Sequence, residues 1–134
     1  MEVKITCTTE LVQGGCNACS VAPSTSYLIT FDQVGLPLEA LDVASLVMAV
    51  ALKKGFRQEL VIDFDDEMIL FKKADEIVTM KEIYGQVTYE NQGKLRKVPL
   101  QLVSNEAVFA EVNQVLKEIF QLDPVNFIME EVEA

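Results

Sequence analysis

Helical periodicity surfaces twice in this chain, and almost everything around those two stretches alternates like β-strand. From Leu38 to Lys54 the residues Leu41, Ala44, Val47, Val50 and Ala51 recur at three- and four-residue spacing, and Leu38, Val43, Leu46 and Leu52 widen the stripe. That spacing puts them on one side of a largely buried α-helix. Pro37 suits its first turn, Glu39 and Asp42 the positive end of its dipole, and Lys53, Lys54 and Gly55 its end. The second stretch starts after Ser104, a good N-cap, and predicts a helix over 105–122. Its stripe is Val108, Val112, Val115 and Ile119, while Glu106, Glu111, Gln114, Lys117 and Glu118 face water. Asp123-Pro124 ends it.

The remaining segments follow a period of two. In Glu2 to Thr8, Val3, Ile5 and Cys7 face one way and Glu2, Lys4 and Thr6 the other, which predicts a half-buried strand. Ser26 to Phe31 is rich in β-formers and predicts a second strand, with a turn over DQVGLP, where Gly35 and Pro37 punctuate the chain. Glu59 to Phe71 reads ELVIDF, an acidic DDE turn and MILF, a hairpin apolar on both faces and therefore central in its sheet. Asp75 to Ile83 is rich in β-branched residues and leans to strand over helix. Tyr84 to Glu90 and Leu95 to Val103 flank NQGK as a second hairpin, with Pro99 pushing its second arm toward an edge. Val125 to Met129 predicts a last short strand. The expected fold is α+β: a mainly antiparallel sheet of about five to seven strands, with two main helices (about 38–54 and 105–122) packed on one face. One globular domain over 1–134 is expected, frayed at the acidic end 130–134.

Composition removes whole classes of function. There is no histidine among the 134 residues, so no Ser-His or Cys-His pair, no histidine general base and no histidine metal ligand can form. Neither GxGxxG nor GxxxxGK[ST] is present. No residue stands out as catalytic or cofactor-binding. The net charge of −10 repels phosphate backbones and anionic membrane surfaces, which argues against direct nucleic-acid binding. No apolar run nears the roughly eighteen residues that span a bilayer, and the alternating, polar start MEVKITCTTE is unlike a secretory signal. A cytoplasmic protein is expected.

Three clusters remain as candidate sites. Cys16 and Cys19 stand at CxxC spacing in GGCNACSVAPSTS, with Cys7 upstream, so three thiolates can meet at one zinc whose fourth ligand must come from elsewhere. The segment after CNAC is a poor helix, so the redox motif of strand, CxxC and helix is incomplete, although a disulfide or an inert pair remains open. Asp63, Asp65, Asp66 and Glu67 surround a turn, which their solvation explains. Lys94, Arg96 and Lys97 form a basic spot, as do Lys53, Lys54 and Arg57; each is explained as a solvated end, or would suit the acidic helix of a neighbouring subunit.

The chain is thus expected to be a small acidic, non-catalytic binding or accessory protein that works through protein–protein contact, as a homodimer. One alternative is a metal-binding or thiol–disulfide protein using Cys7, Cys16 and Cys19, with zinc as the metal. Another is an acidic mimic of DNA that binds a basic protein through Glu111, Glu118, Glu130 and Glu131.

Overall fold

A computed structural model of the chain describes residues 1–13, 21–64 and 66–133. In chain order its elements are β1 (Glu2–Gln13), β2 (Val21–Phe31), β3 (Val34–Leu38), α1 (Val43–Lys53), β4 (Arg57–Asp63), β5 (Asp66–Lys73), β6 (Glu76–Ile83), β7 (Gln86–Asn91), β8 (Lys94–Pro99), α2 (Asn105–Glu118) and β9 (Asn126–Glu133). The α+β class and the two helices are as expected. The strands, however, form two sheets and not one: β3-β2-β1-β9, and β4-β5-β6-β7-β8. They belong to two compact units, Met1–Leu41 with Val125–Ala134, and Asp42–Pro124. Among the described residues, no helix is long and apolar enough to cross a membrane.

In the first unit β1 and β2 form a long antiparallel hairpin, with Ile5 opposite Ile29 and Cys7 opposite Tyr27. Val3, Ile5, Ile29 and Phe31 are buried, as the alternation predicts. The parallel partner of β1 is β9, which runs on to Glu133 through the segment expected to fray. Lys4 pairs there with Glu130, a charge pair between adjacent strands. DQVGLP is a turn only at Asp32 and Gln33, both with positive φ, and its remainder is β3. Gly35 and Pro37 misled as turn signals because this is an edge strand, where a proline costs little. A Cβ at Gly35 would lie 2.9 Å from Leu28 Cδ2, the tip of an exposed side chain that can turn aside.

In the second unit α1 starts five residues later than its apolar stripe. Leu38 is still paired with Tyr27 in β3, and Asp42 is the N-cap, its Oδ1 accepting from Ser45 N at 2.8 Å. The helix ends in a Schellman motif: Gly55 (φ 99°) donates to the Leu52 carbonyl at 3.1 Å and Phe56 to that of Ala51 at 3.0 Å. That turn delivers Phe56 into the core. Ser104 caps α2 by accepting from Ala107 N at 3.1 Å. This helix stops at Glu118, short of the expected 122, because left-handed Gln121 (φ 57°) turns the chain and Leu122 N donates back to Leu116 O at 2.8 Å.

Phe120, just past α2, is the centre of this core. Its ring meets those of Phe56 at 5.3 Å, Phe71 at 5.5 Å and Tyr89 at 6.3 Å, all edge-on. Beside it Asn91 Nδ2 donates to the Ile119 carbonyl at 2.7 Å and so satisfies one of the helix-end carbonyls. Tyr89 Oη and Asn91 Oδ1 are buried with no hydrogen-bond partner among the described residues. Burial, with Asp42 adding repulsion, pushes the Tyr89 phenol well above its usual range, so it stays neutral.

The two buried polar residues therefore differ in their effect on stability. Asn91→Ala removes a bond the helix end depends on and is expected to cost about 2 kcal/mol, whereas Tyr89→Phe removes an unpaired hydroxyl and is expected to cost nothing. Thermal denaturation of both variants checks the contrast. At the β5–β6 turn Ala74 is held at φ 52°. Ala74→Gly is expected to raise the urea midpoint, by about 1 kcal/mol in stability at unchanged slope; a lower midpoint would count against the left-handed turn.

Candidate functional site

The five-stranded sheet is a meander, so the β4–β5 and β6–β7 turns lie at the same end. Each carries an aromatic residue in the left-handed region, Phe64 at φ 56° and Tyr84 at φ 51°. That conformation favours glycine or asparagine, and bulky residues there are strained. Nothing in the fold compensates, since Phe64 is 97% and Tyr84 100% exposed. Both therefore carry a backbone cost that burial of their own rings does not offset.

A cleft of about 360 Å³ opens at this end. Its floor is Leu60, Ile69 and Met80, its rim Asp66, Glu67, Lys81 and Glu82, and its lip Ile83 and Tyr84. The floor follows from register: Leu60 stands opposite Ile69, Ile69 opposite Met80, and Met80 opposite Tyr89, so the four share one face. Along this row exposure climbs from 0% at Tyr89 and 9% at Met80 to 56% at Leu60. The row starts in the aromatic core and ends in solvent at β4, which is an edge strand and not the central one that a hairpin apolar on both faces predicts. Three acids against one lysine give the rim a net negative charge. Chemically this is a trough with an aliphatic floor and a border of net negative charge.

The residues expected from sequence fall elsewhere. Cys7 is half-buried on β1, opposite Tyr27 on β2 and Glu131 on β9. Cys16, Cys19 and Asp65 lie outside the described residues, among which no group of three or more cysteine, aspartate or glutamate side chains could hold a metal. Asp66 and Glu67 do reach the cleft, as rim. Glu111 and Glu118 are both taken by Arg96, whose Nε donates to Glu111 at 2.6 Å and Nη1 to Glu118 at 2.7 Å. These carboxylates raise the pKa of the guanidinium still further. The acidic helix that the Arg96 spot suits is thus the chain's own. Glu130 is paired with Lys4, and Glu131 is exposed on β9. Phe64 and Tyr84 were missed because they read as the end of one strand and the start of another. Tyr-Gly between two β-runs is a two-residue turn signal that could have found Tyr84.

The Arg96 cluster joins β8 to α2 and is partly sheltered, so it matters more than an isolated surface pair. Arg96→Met is expected to lower stability by about 1–2 kcal/mol in dilute buffer, with the gap shrinking in molar salt. Denaturation at two ionic strengths measures it; a gap that salt leaves unchanged would assign the loss to packing.

No curated protein matches the chain, and no solved structure does. The family model described as Domain of unknown function (DUF4809) matches residues 1–129. The match spans elements of both compact units, and the chain belongs to that family.

Proposed function

We propose that this chain is a non-catalytic protein-interaction module that receives a short segment of a partner at the open end of its five-stranded sheet. In this reading both helices lie over one face of that sheet and leave the far end of the same face uncovered. The segment carries an aliphatic or aromatic anchor flanked by lysine or arginine. The observation that carries the reading is the pair of strained, exposed aromatics at one end of the sheet, Phe64 and Tyr84, of which Tyr84 lines the cleft. The anchor enters between Leu60, Ile69 and Met80, the aromatics close over it, and Asp66, Glu67 and Glu82 select the flanking cations. The net charge of −10 steers such a segment inward and repels acidic competitors.

Selection of short random peptides on the immobilised full chain tests this. Enriched peptides are expected to pair a hydrophobic residue with flanking Lys or Arg, and to bind less tightly as salt rises. Tyr84→Ser, and Glu67→Gln with Glu82→Gln, should each weaken binding about 10-fold, worth about 1.4 kcal/mol. Peptides that lack this composition, or that bind both variants as well as the parent, would refute the reading.

A further inference from the structure

Among the described residues the two sheets present four edge strands, and three carry the usual protection against pairing with another chain. β3 contains Gly35 and Pro37, β9 carries Glu130, Glu131 and Glu133, and β8 has Pro99 beside Lys94, Arg96 and Lys97. β4 differs. Its sequence RQELVID has no proline, glycine or lysine, and the positions sharing the face of the cleft floor are Gln58, Leu60 and Ile62, all uncharged. Leu60 is 56% and Ile62 63% exposed. A straight edge strand with exposed aliphatic side chains is a template for another strand.

The sequence of β4 also specifies which strand. We propose that β4 pairs antiparallel with β4 of a second copy of this chain, centred on Leu60. In that register Leu60 faces Leu60 of the partner copy, Gln58 faces Ile62, Glu59 faces Val61 and Arg57 faces Asp63. The only charged residues brought opposite one another are of opposite sign, which stabilises a cross-strand pair. Moving the centre one residue back sets Glu59 against itself, and one residue forward sets Glu59 against Asp63. Both place like charges together. Arg57 also gains, since its neighbour on β5 is another cation, Lys72. Glu59 is already held by Lys72 at 2.9 Å and makes no demand on the new strand.

The dimer is isologous, as a closed two-fold assembly requires. The two Leu60–Ile69–Met80 rows become one apolar stripe across a joined sheet, and the two clefts meet at the axis as one trough. This inference stands independently of what the cleft receives, because it rests on the strand edge and its charges.

Sedimentation of the full chain tests it. At high micromolar concentration the protein is expected at twice the 14.9 kDa of one chain. Leu60→Lys, at a position already exposed in the protomer, should keep the circular dichroism and thermal midpoint of the parent while weakening the dimer at least ~10-fold. Arg57→Asp should also weaken it, and adding Asp63→Arg should restore it. A monomer at every concentration, or a dimer indifferent to Leu60→Lys, overturns the proposal; a charge swap that fails to restore association overturns the register. Peptide binding by an Arg57→Asp monomer, changed outside the cleft lining, would separate a failure here from a failure of the cleft.

Discussion

The unit that carries the candidate site depends on one ring. Phe120 takes edge-on contacts from Phe56, Phe71 and Tyr89, which come from the exit of α1, from β5 and from β7. Local chemistry at two helix ends brings Phe56 and Phe120 together. Gly55 must take a positive φ so that the Schellman turn aims Phe56 inward, and Asn91 must hold the Ile119 carbonyl so that α2 stops where Phe120 fits. Aromatic clusters of this kind combine large buried area with directional edge contacts, so they fix register as well as adding stability.

Concentrating the core around one ring has a consequence for the rest of the sheet. The helices are short, with eleven and fourteen residues, and each buries one apolar stripe. The row from Tyr89 to Leu60 shows a steady rise in exposure, and the turns beyond it hold Phe64 and Tyr84 in conformations that disfavour them. A chain under selection for stability alone would replace both with asparagine or glycine.

Charge is arranged with similar economy. An acidic chain with half its residues apolar needs its carboxylates for solubility, yet Glu111, Glu118 and Glu130 are bonded to the chain's own cations. Arg96 alone takes two of them, a use that its forked guanidinium permits and a lysine would not. The negative field left over includes the cleft rim.

Local residues determined much of this. The α+β class, the hairpin at Glu59–Phe71, the Ser104 cap and the Gly55 helix end follow from periodicity and from chemistry within a few residues, which the chain carries wherever it is placed; Asp75–Ile83 was open between helix and strand, and pairing with β5 and β7 decided it. The ends of the helices were less legible, since Asp42 competes with Pro37 for the N-terminus of α1 and only the pairing of Leu38 with Tyr27 decides between them. Tertiary structure decided the division into two sheets, the parallel pairing of β9 with β1, and the Arg96 cluster, because each joins residues far apart in sequence whose patterns are compatible with several partners. The cleft belongs to the same class. Leu60, Ile69 and Met80 are ordinary strand residues until register sets them in a row, and exposure at Phe64 and Tyr84 becomes visible only when the core has formed elsewhere.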